Sequence, residues 1–73
     1  MIEVDLTSPR WGVYRASVRG ADAEAEGGLE VIRRACRRFA RRHPGHRGEL
    51  VCIYRNGEPA GFKVRPLRDW IRT

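Results

Sequence analysis

Ile2, Val4 and Leu6 alternate with Glu3 and Asp5 at the start of the chain, the period of a strand that buries one face. Thr7-Ser8-Pro9-Arg10 follows as turn chemistry, because Pro9 cannot donate to a ladder. From about Gly12 to Arg19 the alternation resumes. Tyr14, Ala16 and Val18 fall on one side, and Val13, Arg15, Ser17 and Arg19 on the other, so a hairpin is expected. Gly20 ends that strand, and Asp22 has the chemistry of a helix N-cap. Ala23 to Glu26 favours helix, but Gly27-Gly28 weakens its start by about 1 kcal/mol per glycine. The helix therefore has a frayed first turn or begins near Gly28.

Here the period changes from two to that of a helix. Arg33-Arg34, Arg37-Arg38 and Arg41-Arg42 recur every four residues. At 100° per residue these six arginines occupy an arc of about 180°. Leu29, Ile32, Cys36, Phe39 and Ala40 occupy the other side and predict a core stripe. Glu26 and Glu30 stand near the helix start, and Glu30 is placed to pair with Arg33 and Arg34. Pro44 and Gly45 stop the helix around His43.

The last third predicts a hairpin. Glu49 to Arg55 is one strand and Ala60 to Arg65 the return strand. The loop between them is Asn56-Gly57 alone or all four residues to Pro59. Either register puts Val51 and Ile53 on one face with Ala60, Phe62 and Val64. Leu67, Trp70 and Ile71 have the spacing of a short terminal helix. The order is β-β-α-β-β with a short C-terminal helix. It predicts an α+β fold, a two-layer sandwich of one amphipathic helix packed on a small antiparallel sheet. Leu29, Ile32, Cys36 and Phe39 are expected against Val51, Ile53, Phe62 and Val64. Seventy-three residues make a single domain, 1–73, whose small core leaves a thin stability margin.

Charge changes the picture. Fifteen basic residues against nine acidic ones give +6, and all the basic residues except Lys63 are arginine. Guanidinium forks pair bidentately with phosphate and carboxylate, so an anionic partner is indicated. Codon bias accounts for a high Arg/Lys ratio but not for clustering on one helix face. Six arginines along about 13 Å of helix axis would meet several phosphates or a carboxylate cluster. Like charges four residues apart destabilise an isolated helix, which weighs against a merely solvated face. Arg33, Arg34, Arg37, Arg38, Arg41 and Arg42 are therefore the leading binding residues. A second candidate is the open sheet face, where Arg15, Arg19, Lys63 and Arg65 surround Tyr54 as on sheets that stack single-stranded bases. The same face, through Leu50 and Tyr54, is also a candidate dimer surface.

Cys36, His43, His46 and Cys52 match no familiar zinc spacing, so no metal or cofactor is expected. No acid pair, nucleophile motif or phosphate-cradling glycine loop stands out, so the chain reads as a non-enzyme; a small nuclease using His43 or His46 is the enzymatic alternative. Two cysteines and the lack of a signal-like apolar run predict a cytoplasmic protein with no membrane contact.

The alternating strand Met1-Ile2-Glu3-Val4-Asp5-Leu6, the long helix and the hairpin around Asn56-Gly57 together resemble small phage-encoded inhibitors of the anti-CRISPR type. The likeness is one of build across most of the chain. It implies stoichiometric binding to a CRISPR surveillance complex in the host cell cytoplasm. Many such inhibitors are acidic DNA mimics, and a charge of +6 departs from that pattern. The expected function is a small inhibitor, monomer or homodimer, that docks its basic helix face on an acidic protein surface of a host nucleoprotein complex. The alternative is direct, sequence-nonspecific binding of DNA or RNA.

Overall fold

The computed structural model describes residues 1–72. The alternation at the start becomes β1 (Ile2–Arg10), which pairs antiparallel with β2 (Val13–Val18) in the register Asp5↔Ser17 and Thr7↔Arg15. Thr7 to Arg10, expected as the turn, continue the strand through an irregularity that accommodates Pro9, and the turn falls at Trp11-Gly12. Ile2, Val4, Leu6, Ala16 and Val18 are buried along one face. The next segment departs from expectation. Ala21–Ala25 is not the first turn of the helix but a third strand, β3, antiparallel to β2. Arg19 and Gly20, both at positive φ, form the two-residue turn that folds it back. Ala21 and Ala23 are buried while Asp22 and Glu24 are exposed, so the segment has the two-residue period of a strand. Side-chain size explains how it fits, because alanines on the sheet leave room for the helix laid over them.

Helix α1 spans Gly28–Arg42. It starts at Gly27 without a side-chain cap, through Val31 N–H donating to the Gly27 carbonyl at 3.0 Å, and it ends at His43 as Pro44 requires. Its buried residues are Val31, Ile32, Ala35, Cys36 and Phe39. The expected stripe is thus rotated: Leu29, assigned to the core, is 43% exposed, and Val31 takes its place. The rotation follows from where α1 docks, over β2 and β3 rather than over the second hairpin.

β4 (Leu50–Arg55) lies beside β1 and runs parallel to it, with Ile2↔Val51 and Val4↔Ile53. The sheet is therefore mixed, not purely antiparallel, in the order β3-β2-β1-β4-β5. α1 provides the crossover that a parallel neighbour needs. Asn56 and Gly57, at φ 53° and 79°, form a two-residue turn into β5 (Glu58–Pro59). The long return strand does not form. The chain leaves the sheet after Pro59, turns at Gly61, and rejoins β4 as β6 (Arg65–Pro66), with Val51↔Arg65. Val64 is consequently 46% exposed rather than buried, while Phe62 packs edge-on against Trp70. The terminal helix forms as expected: α2 (Leu67–Ile71) buries Leu67 and Trp70 and packs beside α1. No helix among the described residues is long and apolar enough to cross a membrane.

Candidate anion-binding cleft

The six arginines divide into two groups by their position around α1. Arg34, Arg38 and Arg42 form the four-residue row that faces β3, the edge strand of the sheet. Arg34 Nη1 donates to the Glu24 carbonyl at 3.2 Å, Arg38 Nη1 to the Asp22 carbonyl, and Arg42 Nη1 to the Gly20 carbonyl at 3.0 Å. Carbonyls two residues apart point the same way along a strand, so Arg34 and Arg38 cap the acceptors that β3 turns away from β2, and Arg42 caps the turn that leads into it. Three of the six expected binding arginines therefore hold the fold together. Their heads occupy an edge that would otherwise accept a further strand.

The other row, Arg33, Arg37 and Arg41, turns away from β3, and Arg33 and Arg37 are half-buried. Arg37 and Arg41 line an open cleft of about 690 Å³ between α1 and α2, together with Arg47, Arg68 and Arg72. Ala40 and Ile71 give the cleft an apolar component, and Asp69 is the one acid among its lining residues. Arg72 Nη1 lies 4.0 Å from Asp69 Oδ1, and Arg37 Nη1 3.7 Å from Glu30 Oε2 outside the lining, so only two of the five guanidinium groups have a carboxylate partner among the described residues, both at long range. The walls are tied by the backbone: Leu67 N–H donates to the Glu49 carbonyl at 2.9 Å and Arg68 N–H to that of Arg47 at 3.0 Å. That pairing brings Arg47 and Arg68 side by side.

The loop carrying Arg47 is held by Glu49, whose carboxylate contacts His46 Nδ1 at 2.7 Å and the Met1 ammonium at 2.9 Å. The hydrogen bond with His46, followed by that with the terminal ammonium, lowers the Glu49 carboxyl to about 2. His43 and His46 cluster with the buried Phe39, with centroids 4.8 and 5.7 Å from it. Cys36 is buried beneath, and burial pushes its thiol up to about 12. Cys52 lies across the sheet beside Met1, its Sγ 3.0 Å from the methionine sulfur. No group of three His, Cys, Asp or Glu residues among those described is arranged to hold a metal.

The remaining expected site residues are scattered. Arg33 is half-buried, and its Nε has no hydrogen-bond partner. Tyr54 lies on the open face, but opposite Asp5, in a row continued by Ser17 and Asp22. Arg15 on that face is bound to Glu24, and with Glu3 and Asp5 present the surface is of mixed charge rather than a basic platform. Arg65 is not on it. Its register partner Val51 faces the core, and its guanidinium stacks over the buried Trp70 ring at 4.2 Å. Lys63 is exposed in the irregular segment between β5 and β6. The sequence reading missed Arg47, Arg68 and Arg72, single arginines that lie in a loop, in α2 and just after α2. No family model, curated protein or solved structure matches the chain.

Proposed function

We propose that this chain is a small non-enzymatic binding protein, an inhibitor or adaptor, that grips an acidic protein surface with the cleft between α1 and α2. The observation that carries this reading is the convergence of Arg37, Arg41, Arg47, Arg68 and Arg72 beside Ala40 and Ile71, with Asp69 the one acid in the lining. A concave site with several guanidinium forks and a small apolar patch suits carboxylates flanking one apolar side chain. Arginine is also the charged residue that protein interfaces favour. No aromatic ring lines this cleft, which weighs against base stacking there. The class of partner, a nucleic-acid-handling complex of the CRISPR surveillance type, comes from the likeness in build alone.

The test is binding to a panel of nuclease-treated, purified CRISPR surveillance complexes, with Arg41 and Arg68 each reversed to Glu. These two side chains are exposed and hold none of the β3 carbonyls. Reversal should lower affinity by at least tenfold, because each reversed charge faces like charge across the contact. Unchanged binding by both variants, or no complex bound by the parent protein, would overturn the proposal. Binding to duplex DNA with log K falling by about 0.9 per neutralised phosphate per decade of salt would transfer the cleft to nucleic acid instead.

A further inference from the structure

The most exposed large apolar side chain among the described residues plays no part in the cleft. Trp11 sits at the tip of the β1–β2 hairpin and is 99% exposed. The tip lies at one end of β2, whereas the helix row from Arg34 to Arg42 runs along β3 towards Gly20, at the other end. The cleft, lined by Arg37 and Arg41, is towards that far end, so the two regions are separate. Around the tip, Ser8, Arg10, Trp11, Gly12, Val13 and Tyr14 line an open groove of about 520 Å³. Tyr14 is half-buried and packed against the core, which fixes one aromatic ring of the groove to the sheet. Arg10 has 69% of its side chain exposed, and its contact with Glu24 is 4.0 Å long. Arg55 reaches the same groove from β4, through Nη2 donating to Ser8 Oγ at 3.3 Å.

We propose that this hairpin tip is a second binding site, for an unpaired base and its phosphate in single-stranded nucleic acid. An indole bare on both faces beside a second ring supplies a stacking platform that every base can use. Arg10 and Arg55 supply donors of the right charge for the neighbouring phosphate. Insertion into a pocket of a protein partner fits less well. Anchors of that kind are surrounded by apolar contacts that exclude water, whereas Trp11 shares its groove with Arg10, Ser8 and Gly12 as well as Val13 and Tyr14, and is itself 99% exposed. Because base faces inside a duplex are already stacked, the site selects single strands.

The chain has two tryptophans, and Trp70 is fully buried, so fluorescence reports the two separately. Titration with a short oligothymidylate should quench the red-edge emission of Trp11 and leave that of Trp70. Trp11→Ala should weaken binding about 5- to 150-fold, with Trp11→Phe intermediate. Arg10→Ala should flatten the salt dependence. Trp11 touches little of the fold, so these variants remain folded, and circular dichroism verifies this. A duplex of the same length should compete poorly. Wild-type affinity in Trp11→Ala, or no quenching at low salt, overturns the proposal. So does loss of oligonucleotide binding on Arg41→Glu with Trp11→Ala unaffected, which would place the strand in the cleft. If Trp11→Ala instead abolishes binding to a surveillance complex while the parent ignores the oligonucleotide, the tip belongs to a protein contact. The oligonucleotide outcomes do not depend on whether the cleft itself binds an acidic protein surface.

Discussion

Replacing Arg34, Arg38 and Arg42 together by alanine tests the division of the arginine face, because the two views of that row predict opposite signs. If the row were a solvated charged surface, its removal would stabilise the helix. Alanine is the better helix former by about 0.2 kcal/mol per position. Two like-charge contacts at four-residue spacing would also vanish, each costing roughly 0.2–0.5 kcal/mol. The sum is a gain of about 1 kcal/mol. In the structure, however, Arg34 and Arg38 donate to outward carbonyls of β3 and Arg42 to that of Gly20 in the turn before it, and Arg34 also donates to Glu30 at 3.1 Å. Hydrogen bonds to charged groups contribute about 1.5–3 kcal/mol in general. These arginines are exposed and the freed carbonyls regain water, so roughly 1 kcal/mol each is appropriate, or about 3 kcal/mol together. The net expectation is a loss of about 2 kcal/mol. For a domain of this size that lowers Tm by roughly 8–16 °C. Thermal unfolding followed by circular dichroism, repeated in urea, measures it. An unchanged or raised Tm would refute the assignment. The uncovered β3 edge should also promote self-association at high concentration, visible by sedimentation.

Two further predictions concern the termini of the cleft wall and the core beneath it. Glu49 has a carboxyl lowered from 4.5 to about 2, so its contribution to stability is complete above about pH 4.5 and disappears as pH falls towards 2. The stability difference between the parent and Glu49→Gln should accordingly be present above about pH 4.5 and close between about pH 4.5 and 2; a difference that persists at pH 2 would show that the carboxylate is not the stabilising group. Cys36, buried and with a thiol raised to about 12, should resist a thiol reagent in the native state while the half-buried Cys52 reacts, so the protein should show one accessible thiol before denaturation and two after.

Much of the fold was legible because it rests on local periodicity. The two-residue alternation of Ile2, Val4 and Leu6, the helical repeat of the arginine doublets and the Asn56-Gly57 turn each belong to one short stretch. Each appears where it was expected. β3 was missed although its alternation, Ala21-Asp22-Ala23-Glu24-Ala25, was present. Alanine is a strong helix former and Asp22 looks like a cap, so local propensity outweighed a weak pattern. Pairing with β2 and the bonds from α1 decide the segment in favour of a strand.

By itself the sequence determined that an amphipathic helix would cover a small sheet and that its charge would be arginine. It did not determine which arginines remain available to a ligand. That depends on a rotation of α1 that buries Val31 and exposes Leu29, and so turns one row onto β3 and another towards the cleft beside α2. It depends also on the loop and α2 bringing Arg47, Arg68 and Arg72 to Arg37 and Arg41, residues far apart in the chain. A period fixes which residues share a face of one element. Only packing between elements fixes what that face meets, and here it separates three arginines that hold an edge strand from two that open onto a cleft.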